Sequence, residues 1–514
     1  MKRSDFFASI LTKTSRIALA CLGFVLAPML PAQTFTNLHS FLPTAGNETN
    51  ADGYLLYSGL VLSGDTLYGT VAHGGTNGNG TAFSINTSGS NFTVLHVFSA
   101  ASGTLFPLTN SDGAAPRATL LLSGNVLYGT ASGGGTNGEG AVFSLNTSGS
   151  NFTTIYNFSA LSNSISNSDG AMPQSPLALS GGTLYGTTLS GGSAGTGTIF
   201  AVNTNGTSFT NLHNFSKITS STNNDGGLIA AGLVVSGNML YGAANSGAPD
   251  GRGSLFSLTT NGTNFTLLHI FSAVQGVDRT NSDGADPAAT LVLSGNTLYG
   301  AADSGGTNGN GVLFSINTNG TAFTNFYTFS EGGDFENGDG ENPETALILS
   351  DSALYGTTIY GGAYSYGTIF TVKTNGMNFT NLHNFTTEQG SRDTNLDGAH
   401  PYGSLVLSGG TLYGTTEEGG TGGSGTLFSI TLPQPELPII NSISLSGTNL
   451  IINAVNGKSG VPYITLMSAS LALPLNQWTP IATNTLTASG AFTITATNAV
   501  NPIAPERFYI LQMR

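Results

Sequence analysis

Thiols are all but missing from this chain: its one cysteine, Cys21, lies near the amino end. Past that leader there is no disulfide, no cysteine metal site and no cysteine nucleophile, so packing and repetition have to hold the fold. A lipobox reading of "ALAC" is weak, because only Ile17–Ala20 separate Arg16 from the cysteine. Positive charge is nearly as scarce, with 13 Lys and Arg against 27 Asp and Glu. Setting aside Lys2, Arg3, Lys13, Arg16 and Asp5 leaves 9 against 26, a net −17. Nucleic acid and anionic membranes need basic surface, so neither is an expected partner. Long apolar runs are missing as well. Ile17–Leu30 is apolar for 14 residues, too short to span a bilayer, and follows a basic leader. Residues 1–32 therefore read as a secretory signal peptide cleaved near Ala32, and the product as secreted or at the cell surface.

What is present is repetition. "LYG" begins at Leu67, Leu127, Leu184, Leu240, Leu298, Leu354 and Leu412, at spacings of 60, 57, 56, 58, 56 and 58 residues. Each unit holds four short strand-like runs. In the fifth, "TLVLS" is continuously apolar, "GN" is a two-residue hairpin turn and "TLYGAA" returns. "SGGTNGNG" is a glycine-rich loop, "VLFSINT" a third strand, "NG" another turn and "FTNFYTF" a fourth strand. No helical period intervenes. Four strands per unit, seven times, predicts an all-β fold: a seven-bladed β-propeller. The consecutive apolar residues of "LVLS" suit a strand covered on both faces, and the glycine of "LYG" a crowded backbone.

The two ends of the array carry the topology. A fourth-strand motif stands at Phe35–Phe41 before any first strand, and recurs at Phe92, Phe152, Phe209, Phe265, Phe323 and Phe379. The last unit ends at its third strand, Gly425–Leu432. This offset of one strand predicts a ring, residues 33–432, closed by the amino-terminal strand and acting as a monomer. Residues 433–438, "PQPELP", read as a stiff spacer and 439–514 as a small β-sandwich.

Of 24 acidic residues between Gln33 and Leu432, only Asp65 and Asp351 fall in the short turns. The other 22, with Arg117, Lys217, Arg252, Arg279 and Arg392, crowd the long-loop face to about −17. Every inter-unit loop carries Asn-x-Asp-Gly, from Asn50/Asp52 to Asn395/Asp397. A turn explains that motif, since Asn and Asp bond their own backbone and Gly accepts positive φ. Calcium is the sharper alternative, best at Asp393, Asn395 and Asp397 of "DTNLDG", although Ser404 stands where an EF-hand-like loop needs Glu. No other cofactor is expected.

Catalytic constellations are missing. His39, His96, His213, His269 and His383 share one register with Tyr156 and Tyr327, which suits a packing aromatic with a polar tip. His73 and His400 are single, without zinc spacing. Glycine-rich "GGTNGNG" leads into no helix, so a phosphate cradle is excluded. Glu417 with Glu418, and Asp334 with Glu336, are acid pairs of undefined separation that a glycosidase would need defined.

The pattern "LVLSGNTLYGAADSGGTNGNGVLFSINTNGTAFTNFYTFS", with "DGA.P" between units, resembles the GloVer tandem repeat, named for Gloeobacter and Verrucomicrobia. That resemblance covers about residues 34–432 and implies a secreted or surface-attached protein, without supplying a reaction. The tail "LNQWTP…NPIAPERFYILQ" is similar to a C-terminal β-domain on secreted proteins of the same bacteria, and lacks a sorting tail of the PEP-CTERM kind. The expectation is a non-catalytic binding or scaffold protein offering an Asn/Gly/Asp-rich face to a glycan or protein. The alternatives are an extracellular glycosidase or lyase, and a passive envelope component.

Overall fold

The computed structural model describes residues 8–11, 33–44, 49–102, 108–331, 337–390, 393–433, 439–457, 462–468, 473, 477–486, 490–499 and 506–513. The expected signal peptide (Ala8–Leu11 apart), residues 434–438 of the spacer, and the pair Asp334 and Glu336 lie outside them. Among the described residues none is in an α-helix. The chain divides into two compact units, Gln33–Thr431, and Met1–Ala32 with Leu432–Arg514.

Among its described residues the first unit holds seven four-stranded antiparallel sheets. They are numbered here by their first strands, at Val61, Leu121, Ala178, Val234, Val292, Ile348 and Val406. The fifth shows how the sequence builds one. Val292–Ser294 pairs with Thr297–Ala302, and Ser294 opposite Thr297 leaves Gly295 and Asn296 as a two-residue turn. Gly295 takes φ +58°, as such hairpins require. Thr297–Ala302 pairs in turn with Val312–Asn317, and that strand with Thr324–Thr328. The "LYG" glycine is dictated by packing: a Cβ on Gly300 would stand 2.5 Å from Phe314 Cζ and 2.7 Å from Leu291 Cδ2.

Six sheets take four consecutive strands. The seventh combines Val406–Ser408, Thr411–Thr416 and Thr426–Thr431 with Thr34–Ser40 from the amino end. Thr34 lies opposite Thr431 and Ser40 opposite Thr426, and the Phe41 N–H donates to Gly425 O at 3.1 Å. Apolar side chains fill the space between successive sheets. Tyr241, Leu255, Leu298, Phe314 and Ile316 join the fourth to the fifth. Tyr413 and Leu427 of the seventh meet Leu60, Leu67, Phe83 and Ile85 of the first. Burying each such side chain is worth about 1.5–3 kcal/mol, the main force holding sheets together. Buried threonine hydroxyls add hydrogen bonds from one sheet to the strap before the next: Thr70 to Ala118 O (3.2 Å), Thr130 to Ser175 O (3.1 Å) and Thr415 to Ser58 O (2.8 Å).

The second unit has one sheet of Ile439–Ser446, Asn449–Gly457 and Gly490–Ala496. A second sheet orders Ala8–Leu11, Glu506–Met513, Pro462–Ser468 and Thr479–Thr485. Ile443, Leu450, Ile452, Ala496 and Tyr509 form a buried cluster in it. Trp478 is buried beside Leu466 and donates its indole N–H to Leu473 O at 2.8 Å.

Candidate functional site

The Asn-x-Asp-Gly loops and the fourth-strand aromatics, far apart in each repeat, meet in every sheet. His39, His96, His213, His269 and His383 place Nε2 2.9–3.1 Å from Asp52, Asp112, Asp225, Asp283 and Asp397. Tyr156 and Tyr327 donate instead to Asp169 (2.7 Å) and Asp339 (2.6 Å). Sequence reading missed this pairing, although its signal was there: His and Tyr share a polar hydrogen at the ring tip. Each ring also lies flat on a phenylalanine of the next sheet, as His96 on Phe152 (3.8 Å) and His213 on Phe265 (3.9 Å). His383 lies on Phe35 (4.0 Å) and His39 on Phe92 (4.1 Å). Burial works against the charge of Asp112, Asp225, Asp283 and Asp397. Donors from the His ring and from the Ser or Thr after the strand outweigh it, holding these carboxyls below their usual pKa.

This geometry bears on the calcium candidates. Asn395 Oδ1 accepts the N–H groups of Gly398 and Gly420, both at 2.8 Å, while its amide donates to Thr386 O and Gly398 O. Asp397 is buried and takes His383, Thr386 N–H and the Thr386 hydroxyl. Asp393 is exposed with φ +51°. The oxygens of Asn395 and Asp397 are turned onto the loop's own donors, which is the turn's work. Among the described residues no three His, Cys, Asp or Glu side chains stand where they share a metal ion.

Against so regular a frame, the departures converge. The residue two past each Asp-Gly takes positive φ in all seven sheets, yet none is glycine: Leu55, Ala115, Met172, Leu228, Asp286, Asn342 and His400, at 51–63°. Such backbone costs on the order of 1 kcal/mol each, and the frame holds it with bonds such as Ala115 N–H to Asn79 O and His400 N–H to Tyr366 O. Two residues further on stand Tyr57, Arg117, Gln174, Ala230, Ala288, Glu344 and Tyr402. In the third, fourth and fifth sheets these are Gln174 and two alanines; in the sixth, seventh, first and second they are charged or aromatic.

Among the charged and aromatic positions the Arg117 guanidinium lies 4.6 Å over the Tyr57 ring, and Tyr57 meets Tyr402 edge to face at 5.5 Å. Tyr57 neighbours Glu417, and Tyr402 neighbours Tyr360. Burial, then the charges of Asp303 and Glu417, push Glu344 up to about 8. Burial likewise lifts Asp303 to about 6, and Glu341 and Glu417 are raised. Of the acid pair singled out in sequence, Glu417 joins this cluster, and Glu418 with it as a neighbouring charge. His400 stands beside it, 5.0 Å from Tyr360. Its members come from both ends of the chain, and no local motif announces them.

Repeated four-stranded antiparallel sheets stapled by one loop motif define an all-β repeat protein. More particularly, the chain belongs to the Gloeobacter/Verrucomicrobia repeat family, whose model matches residues 21–158, 100–281 and 277–468. No curated protein matches it. Among solved structures it is similar to an oligogalacturonate lyase in complex with manganese, at 10% identity over 78% of this chain and 97% of that one, TM-score 0.44. A puromycin-hydrolyzing peptidase of Mycobacterium tuberculosis matches at 12% identity over 81% and 61%, TM-score 0.43. The nidogen/laminin complex matches at 13% over 59% and 90%, TM-score 0.33.

Proposed function

We propose that this is a secreted, non-catalytic binding or scaffold protein built as a seven-bladed propeller with a small C-terminal sandwich. The ring reading draws support from the seventh sheet, which takes its fourth strand from Thr34–Ser40, and from the stack of His383 on Phe35. Export rests on the composition of residues 1–32. In such a ring the positions after Asp-Gly encircle the mouth on the long-loop face. The observation that carries binding is that repeats with a common frame place their differences there, on strained backbone. A scaffold needs no such variety, whereas recognition does. The ligand is a glycan or a protein, met by Tyr57, Tyr402 and the surrounding carboxyls.

A glycan array probed with the chain and with Tyr57→Ala/Tyr402→Ala tests it. Binding lost in the variant with an unchanged melting midpoint supports the reading; binding retained overturns the mouth as its seat. One observation favours a glycosidase or lyase as the alternative: Glu344, at about 8, is protonated at neutral pH beside other carboxyls, as a general acid must be. Sugar release from a bound glycan would establish that instead.

A further inference from the structure

Apart from the mouth, we infer that the hollow beside the loop from sixth to seventh sheet is a separate site for a neutral sugar, with Tyr364 as the platform for its ring. The repeat breaks there. At this register Asn77, Asn137 and Asn308 donate their amides to Phe98 O, Phe158 O and Phe329 O, at 3.0, 2.8 and 2.8 Å. The glycine after each takes φ of 80–84°. The sixth sheet has Tyr364 and Ser365 instead, and Ser365 holds φ +69°, where any side chain is strained. Tyr364 is 50% exposed, and its hydroxyl has no partner among the described residues. Neither burial nor a tie to the backbone accounts for the exchange.

Tyr364 lines a hollow of about 880 Å³ with Thr387, Gln389, Thr394 and Leu396. A smaller one, of about 480 Å³, lies at the same register of the loop from fourth to fifth sheet, around Gln275 and Thr280, and its lining has no aromatic residue. Both loops fix their glutamine. Gln389 and Thr394 exchange backbone hydrogen bonds at 2.8 and 3.2 Å, as Gln275 and Thr280 do at 2.8 and 3.0 Å. Among the described residues the Gln389 carboxamide and the Thr387 hydroxyl have no partner, so both have donors and acceptors to offer. Leu396, 77% exposed, adds apolar surface. Asp397, the only acid of the lining, is committed to His383 and Thr386, and no lining residue is basic. An exposed ring with uncharged hydrogen-bonding groups around it suits a pyranose. Its C–H face packs on the negative face of the tyrosine, and its hydroxyls bond the amide and the threonine. An acidic sugar finds no cation among these residues.

The test is calorimetric titration of the full chain with cellohexaose, mannohexaose and hexagalacturonate. A neutral hexaose is expected to bind. Tyr364→Asn with Ser365→Gly restores the residues of other repeats, so it should keep or raise the melting midpoint while weakening that binding at least about tenfold. Gln389→Ala should weaken it several-fold. Tyr364→Phe should stay within about twofold of the parent chain, because the ring is retained. Met377→Ala, exposed in a short turn of the same sheet, should change nothing. Binding that survives the paired Tyr364 and Ser365 change overturns the inference, as does a preference for hexagalacturonate or silence from both neutral sugars. Tyr57→Ala/Tyr402→Ala separates this site from the mouth. Neutral-sugar binding kept in that variant supports the inference whatever becomes of the mouth. Binding lost there and kept in the Tyr364 and Ser365 variant assigns the sugar to the mouth and overturns this inference alone.

Discussion

At the residue scale, two groups of carboxyls differ in the sign of their pH response. Asp112 accepts from His96, from the Ser99 N–H and from the Ser99 hydroxyl. An amide in its place sets an N–H₂ against donors, so Asp112→Asn is expected to cost about 1–3 kcal/mol in urea unfolding. Asp112, Asp225, Asp283 and Asp397 are depressed in the folded protein. Their stabilisation is thus complete above the unfolded pKa of about 4 and drains away as pH falls through the lower folded value. Asp112→Asn should lessen that acid slope. An unaltered slope would mean the staple carries no charge. Glu344 runs the other way. Raised to about 8, it binds its proton more tightly when folded, so it costs stability increasingly as pH rises from about 4 to its folded value. Glu344→Gln should leave the melting midpoint unchanged near pH 4. Near pH 9 it should raise stability by roughly 1–2 kcal/mol, a gain held down by the solvent that still reaches the carboxyl.

At the scale of the element, the hairpin shows what a sequence discloses and what it hides. "LVLSGNTLYG" was legible throughout: two-residue turn, apolar first strand, glycine against a ring. Gly300→Ala should therefore cost about 1–3 kcal/mol through overpacking on Phe314 and Leu291. Gly295→Ala, with φ +58° and open space around it, should act through backbone strain alone and cost less. Equal losses would show that crowding is not what selects the inner glycine. Local period and turn chemistry are enough for such elements, because each is decided within ten residues or so. The staple was only half legible. His and Asp were each seen to recur, but their meeting depends on a strand bulge, as between Ile369 and Phe370, that no local pattern announces. The charged cluster was legible only in part: Glu417, Glu418 and Arg117 stood out as long-loop charges, without their aromatic partners. Tyr57, Glu344 and Tyr402 become neighbours only when the sheets take their places, and each looked like an ordinary loop residue.

For the whole molecule, the issue is whether every sheet has two neighbours. A closed ring makes the contact between sixth and seventh sheets equal in kind to any other, although Phe35 is near one end of the chain and His383 far along it. Their rings stack at 4.0 Å, against 3.9 Å for Phe265 on His213 in the middle of the array. Phe35→Ala and Phe265→Ala should therefore destabilise alike, by roughly 2–4 kcal/mol for half-buried rings. In each case hydrogen exchange should quicken in both flanking sheets. An open stack makes a different demand. There Phe35 would belong to a frayed terminus, its removal would cost a few tenths of a kcal/mol, and the amides of Thr426–Thr431 would exchange as before. The Phe35 variant with unchanged protection at Thr426–Thr431 would open the ring, and with it the mouth that the binding reading needs.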